Sequence, residues 1–346
     1  EVEINEQWAL SGGLRYNFYS YLGPHTLPVY AAGEPYFKEN ITGETQFQAG
    51  KSVQSYHGPE FRFSGRYAIS NSSSLKAGIN SMRQNIHLLS NSSVITPTDT
   101  WKLSDSFLKP QRGIQYALGY FKNMQQGALE FSAELYFRSM QQLLDYRSGA
   151  SIVLNDRIEQ EVLVTQGKAY GMELYVKKSQ GKLNGSLAYT YSRSLMRTDP
   201  SEQKEQINRS EWYPSNFDQP HNANFVGNYE LSKRINVTLT GKYSTGRPVT
   251  LPIAKFNYGG SERVYFSDRN SFRVPDYFRM DFSVNLEGNH KVSKLAHASW
   301  SFGVYNVLGR DNAYSIYFVP EGGKLKGYQL AIFAEPIPFI TYNFRF

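Results

Sequence analysis

The sequence predicts an all-β fold, a transmembrane antiparallel up-and-down β-barrel wall with about twelve strands in this chain. Three observations predict it. Amphipathic segments recur along the chain with a period of two. The joins between them alternate between short and long. The segments often run 10–15 residues, whereas strands of soluble proteins are typically about five or six. The short joins fall near 71–74, 125–127, 180–181, 232–233 and 288–294. The long ones fall near 22–55, 90–111, 148–160, 197–218, 248–275 and 312–335. Membrane barrels of the bacterial outer membrane have short turns on one side and longer loops on the other. A sandwich has no reason to alternate this way.

The strands follow in order. The first sets Trp8, Leu10, Leu14, Tyr16 and Phe18 against Ser11, Arg15 and Asn17. Segments 61–69, 75–82 and 113–121 share this logic less strictly. Residues 129–138 are regular: Leu129, Phe131, Ala133, Leu135 and Phe137 oppose Glu130, Ser132, Glu134, Tyr136 and Arg138. Segments 170–177, 183–192 and 221–231 come next. Residues 235–244 place Ile235, Val237, Leu239 and Tyr243 opposite Asn236, Thr238, Thr240, Lys242 and Ser244. Residues 277–286 are the strictest, with Phe278, Met280, Phe282, Val284 and Leu286 against Tyr277, Arg279, Asp281, Ser283 and Asn285. Segment 298–305 follows, and Ile340, Tyr342, Phe344 and Phe346 then alternate with Thr341, Asn343 and Arg345. Each strand thus has one greasy and one wet face. Gly12, Gly65, Gly185, Gly227 and Gly241 interrupt the apolar faces, where glycine eases curvature or bulging.

Composition agrees. The 346 residues include 26 Tyr and 22 Phe, residue types that favour strands. No apolar run approaches the roughly 20 residues of a spanning helix. Mean hydropathy is negative, which a barrel permits because every second residue faces the lumen. The net charge of +7 is scattered without a basic run, so nucleic-acid binding is not expected. Absent cysteine carries little weight. The sequence starts at Glu1 without an initiator Met or a signal peptide, as a processed or partial chain does.

Little reads as catalysis, and neither an enzyme activity nor a cofactor is expected. His25, His57, His87, His221, His290 and His297 form no pair at metal-ligand spacing, so no metal site is expected. A Ser/His/Asp site stays open, since its members converge only in space. The charges Arg15, Arg62, Arg66, Glu130, Glu134, Arg138, Glu173, Lys177, Lys242, Arg279 and Asp281 all fall on polar faces. They point into the lumen, as a salt-bridged ladder between strands, as contacts to a plug, or as a translocation path. Trp101, Trp212, Tyr213, Phe256, Tyr258, Tyr265, Tyr317 and Phe318 lie in or beside the long loops. Loops carry binding on a rigid frame, so Trp101, Trp212, Tyr213, Phe256, Tyr258 and Tyr265 are the candidate ligand contacts. Packing of the loops, or an interfacial aromatic girdle, is the alternative role.

Several stretches, taken together, resemble a known family. Residues 108–123 read LKPQRGIQYALGYFKN, and 167–175 read GKAYGMELY. Residues 213–225 read YPSNFDQPHNANF, and 243–251 read YSTGRPVTL. Residues 273–282 read RVPDYFRMDF, and 301–312 read SFGVYNVLGRDN. From about Phe61 to Phe346, this order resembles the carboxyl-terminal half of TonB-dependent outer-membrane receptors, particularly those of Bacteroidota. The ending YNFRF resembles the assembly signal of outer-membrane barrels, with Tyr342, Phe344 and Phe346 as its aromatics. The resemblance implies a 22-stranded plugged barrel, of which residues 1–346 would be the later part. The plug and signal peptide lie outside this sequence. It implies energised import of a nutrient such as a siderophore, glycan or peptide. The implied partners are outer-membrane lipid, the plug, the TonB complex, the barrel assembly machinery and, for glycan importers, surface lipoproteins. A self-closed passive channel and a barrel anchoring surface proteins remain as alternatives.

Overall fold

The computed structural model describes residues 1–89, 100–151, 155–200, 205–288, 297–321, 324–332 and 334–345. Twelve long strands form one antiparallel wall: β1 (Trp8–Leu22), β2 (Ser52–Ser70), β3 (Ser73–Gln84), β4 (Gln111–Met124), β5 (Leu129–Tyr146), β6 (Val162–Lys178), β7 (Leu183–Thr198), β8 (His221–Ser232), β9 (Ile235–Ser244), β10 (Tyr277–Glu287), β11 (His297–Tyr305) and β12 (Ile337–Arg345). Each pairs with the next in sequence order. Two short strands join the sheet, Val2–Glu3 along β1 and Tyr213–Pro214 along β7. Short turns close one end, and six long connections leave the other, as the spacing of the segments predicts. The turn after Glu287 lies largely outside the described residues.

Register carries each face across the wall without interruption. Trp8 faces Tyr67, Gly12 faces Phe63, and Phe63 faces Ile79. Ile79 faces Tyr116, which faces Phe137, which faces Tyr170. At the far side Phe282 pairs with Val304, and Phe302 with Ile340. The apolar set lies open: Leu14 is 78% exposed, Phe18 69% and Ile340 62%. In water that exposure is unfavourable by about 25 cal/mol per Å², whereas a lipid-facing wall requires it. Rings gather toward the ends of this face. Trp8 meets Tyr67 at 4.7 Å and Trp300 meets Tyr342 at 4.6 Å near the short-turn end. Tyr16 with His57 and Tyr189 with His221 pair through hydroxyl and Nδ1 at 2.7 and 2.9 Å toward the loop end. Tyr342 and Phe344 belong to this outer face, and Phe346 lies outside the described residues.

The glycines of the outer face make room for rings. A Cβ on Gly12 would meet the Phe63 ring at 3.1 Å, and one on Gly227 the Phe225 ring at 2.7 Å. Gly185 serves the backbone itself. Its φ is +149°, and a Cβ there would lie 2.0 Å from the Val226 carbonyl oxygen.

Buried apolar side chains concentrate at the loop end of the wall. Leu89, Leu108, Tyr146, Ile158 and Val162 form one cluster, with Phe107, Leu144 and Ala150 against it. Leu163, Ile207 and Tyr213 form a second beside Met196. Long loops therefore fold into a packed cap. Four of them carry hairpins of their own: His25–Tyr30 with Ile41–Phe47, Ile86–Leu89 with Thr100–Leu103, Pro252–Tyr258 with Ser261–Phe266, and Ala313–Glu321 with Lys324–Ala331.

Candidate functional site

The cap is held by polar clasps between loops. Asp145, near the end of β5, is one hub. Its Oδ1 accepts from the Arg269 guanidinium at 2.5 Å, and its Oδ2 from the Tyr213 hydroxyl at 2.6 Å. Arg269 also donates to the Tyr146 carbonyl at 2.8 Å. Asn208 and the Arg269 backbone exchange two hydrogen bonds, at 2.8 and 3.0 Å. Three chain segments are thereby fixed to one another. Burial, with the Asp145 charge beside it, pushes the Tyr213 hydroxyl well above its ordinary value, so it stays a donor.

Asp218 is the second hub. It is fully buried and takes the Arg193 Nε at 3.1 Å, the Ser194 amide at 2.7 Å and the Arg273 guanidinium. A third clasp joins Tyr30, in the first loop hairpin, to the loop before β6. The Tyr30 hydroxyl donates to Glu159 at 2.8 Å and accepts from Gln160 at 2.9 Å. Burial pushes Tyr30 up to about 12 and also raises Glu159.

Among these clasps lies a cavity of about 650 Å³. Arg147, Glu205, Arg247, Tyr265, Arg269 and Tyr314 are among its lining. Arg147 pairs with Glu205 at 3.0 Å, and Arg247 donates to the Tyr314 carbonyl at 2.6 Å. The volume falls within the range of small-molecule sites, and its walls come from four different loops.

The aromatic candidates separate. Tyr265 lines the cavity. Tyr213 is buried beneath it as a clasp residue. Trp212, one residue away, turns to the outer wall, with the Lys168 amine 4.0 Å and the Arg197 guanidinium 4.7 Å from its ring. Trp101 and Phe256 are exposed on two different hairpins and neither lines the cavity, although the Phe256 hairpin supplies Tyr265 to it. Tyr258 ends the Phe256 strand, opposite Ser261. Sequence reasoning did not single out Arg147, Arg247, Arg269 or Tyr314, because arginine in a loop carries no signal until its partners are known.

The inner-face charges also differ from one another. Arg15 pairs with Glu60 at 2.7 Å, and Lys177 with Glu130 at 3.3 Å across strands. Arg279 pairs with Asp281 at 2.7 Å along its own strand, and Asp281 also caps the Asn306 amide. Arg138 donates to Gln115 at 3.0 Å. Arg62 stands opposite Asn80, Arg66 opposite Lys76, Glu134 opposite Glu173, and Lys242 opposite Arg279. Among the described residues Arg62, Arg66, Glu134 and Lys242 form no ion pair with one another or with their neighbours. A cross-strand ladder thus covers only part of the set.

One Ser/His/Asp grouping does converge. His87 Nε2 lies 3.2 Å from Ser104 Oγ, with Asp105 adjacent. The carboxylate instead caps the Phe107 and Leu108 amides at 2.9 Å and pairs with Lys102, while His87 Nδ1 meets Gln111. All three groups are fully buried, so the cluster ties a hairpin rather than activating a nucleophile. No group of three His, Cys, Asp or Glu suited to a metal occurs among the described residues.

No curated protein matches the chain. Solved structures resemble it in fold. The ferric-catecholate import receptor Fiu of E. coli K12, in its closed form, shares 14% identity over 99% of this chain and 43% of its own, with a TM-score of 0.58. The ferric yersiniabactin uptake receptor FyuA of Yersinia pestis shares 11% over 99% and 44%, with a TM-score of 0.59. The ferric citrate transporter FecA, unliganded, shares 12% over 98% and 42%, again at 0.59. The chain therefore spans less than half the length of these proteins. The family model described as TonB dependent receptor-like, beta-barrel matches residues 1–307. The chain belongs to that family of integral outer-membrane β-barrels.

Proposed function

We propose that the protein carrying this chain captures a scarce nutrient at the cell surface and imports it with TonB-dependent energy. The observation that carries the reading is the cross-braced cavity at the loop end of the wall. Passive diffusion needs no such basin, and a wall that only anchors other proteins needs no preorganised walls inside it. Preorganisation reduces the ordering cost of binding. Tyr265, Arg147 and Tyr314 contact the ligand, a siderophore, glycan or peptide. Trp101, Phe256 and Tyr258 lie on hairpins that reach the ligand first. On the inner face Arg62, Arg66, Glu134 and Lys242 meet a plug that fills the lumen. Arg138, Glu130, Arg279 and Asp281 line the same face and stiffen it. Tyr342, Phe344 and Phe346 engage the barrel assembly machinery. Surface lipoproteins are partners if the ligand is a glycan.

The test uses cells making the full-length protein, offered ferric siderophores, oligosaccharides and oligopeptides as separate labelled pools. Accumulation of one pool is expected, lost in cells without TonB and reduced at least tenfold by Arg269→Ala, which opens the clasp. Accumulation independent of TonB would replace this reading with a passive channel. Absence of accumulation, with stable co-purification of a surface lipoprotein, would replace it with an anchor.

A further inference from the structure

The outer face of β4 to β7 changes character abruptly along its height. Its lower part is a shallow apolar groove of about 470 Å³, with large side chains from Tyr116, Leu118, Leu135, Phe137, Tyr170 and Met172. These belong to the lipid-facing set, since Tyr116 faces Phe137 and Phe137 faces Tyr170 in register. One step further toward the loops, Ile114 faces Ser139 and Ser139 faces Lys168. One step beyond that, Arg112 lies between Arg83 and Gln141, and Gln166 faces Arg197. Greasy side chains thus give way to four cations within two rows, about 7 Å per row of two residues.

These cations are poorly neutralised. Among the described residues neither Arg112 nor Lys168 has an ion-pair partner. Lys168 and Arg197 share the ring of Trp212 from 4.0 and 4.7 Å. Arg197 donates to the Gln166 side-chain oxygen at 2.8 Å, and Gln166 in turn donates to Asp199. Arg83 donates to the His57 carbonyl at 2.6 Å. Asp199 is the acidic group of this network, so positive charge remains in excess. Placing like charges together on a membrane-facing surface is unfavourable unless an anion meets them there.

We propose that β4 to β7 hold a phosphorylated, acyl-chain lipid of the outer leaflet. Its chains lie in the Leu118–Leu135–Met172 groove. Its phosphate sits against Arg112, Lys168 and Arg197. Trp212 lies beside Lys168 and Arg197 at the level of the phosphate, the interfacial depth that amphipathic rings favour. A free phosphate would use the cations alone, and a neutral lipid the groove alone. The stacking of the two on the same strands selects a molecule that has both parts. The site is complete within adjacent strands and independent of what the cavity binds.

The test uses the full-length receptor, delipidated in mild detergent and titrated with diphosphoryl lipid A, phosphatidylcholine or inorganic phosphate, with bound species read by native mass spectrometry. The wild type should retain lipid A in preference to the other two. R112Q/K168Q should weaken lipid A binding roughly thirtyfold, about fivefold for each cation removed. M172W, which fills the groove without making it polar, should lower lipid A retention while the heat-modifiable mobility of the folded barrel is kept. Equal retention of lipid A and phosphatidylcholine by the wild type would overturn the proposal. So would unchanged lipid A retention in R112Q/K168Q. If that variant does not assemble, M172W decides, and undiminished retention there overturns it equally.

Discussion

Asp218 and His87 show how far single side chains in the cap depend on partners distant in sequence. Asp218 stands 25 residues from Arg193 and 55 from Arg273. The stretch YPSNFDQPH was conspicuous in the sequence, but nothing in it named those arginines. Asp218→Asn leaves two guanidiniums half-buried without their counter-charge. Breaking a buried pair costs roughly 3 kcal/mol or more. The variant should expose loop 199–220 to limited proteolysis while the wall keeps its heat-resistant mobility. His87 makes a pH-dependent case. Burial lowers its imidazole below the ordinary 6.5, against the opposing pull of Asp105 and the Lys109 backbone. Between the lowered value and 6.5 the folded form binds fewer protons than the unfolded one. Stability there rises with pH. The contribution is complete above about 6.5 and is lost as pH falls through that window. Protection factors of the Ile86–Leu89 and Thr100–Leu103 amides, exchange corrected for its intrinsic pH dependence, should therefore fall below pH 6.5, and His87→Asn should remove that fall.

At the scale of elements, the wall was legible and the cap was not. Period-two alternation is a local property, and membrane strands display it over many residues, so twelve segments could be placed and both faces assigned. Residues 277–286, predicted as the strictest, coincide with β10, Tyr277–Glu287. The loop hairpins escaped because they are short, four to nine residues per strand, too few repeats for a period of two to stand out. Trp212 and Tyr213 were both singled out as ligand contacts, but their separate roles were not legible. Their neighbouring positions on an edge segment send one ring to the membrane face and the other into the cap, so a shared loop address gave no shared role. Gly185 was legible as an interruption of β7, but its reason is steric. A Cβ there collides with the Val226 carbonyl of β8 and also strains a positive φ. Gly185→Ala should lower stability by about 1–3 kcal/mol, seen as a lower temperature for loss of the folded band in heat-modifiability gels. Gly43→Ala, in a loop strand where a Cβ meets nothing within 4 Å, is the control and should leave that temperature unchanged.

At the scale of the whole molecule, the two margins of the wall decide what else the barrel requires. Among the described residues β12 pairs with β11 on one side alone. β1 pairs with β2, and its other side meets Val2–Glu3 at Leu10 and Ala9. The outer faces of both margins are greasy up to the edge, with Leu14, Phe18, Ile340 and Phe344 exposed. They therefore lie at membrane depth. Backbone groups left unpaired in hydrocarbon cost several kcal/mol each, and open sheet edges do not occur there. The two margins also do not pair with each other, as a self-closed twelve-stranded channel would require. Closure must come from further strands hydrogen-bonded to β1 and β12. Strands of the same polypeptide meet this need at the lowest entropic cost, because they are already tethered to the strands they must pair with. The intact mass of the native polypeptide from outer membranes should accordingly be about twice the 39.5 kDa of this chain or more. A mass near 39.5 kDa would instead require a second chain at both margins, and energised import through a single plugged barrel would lose its structural basis.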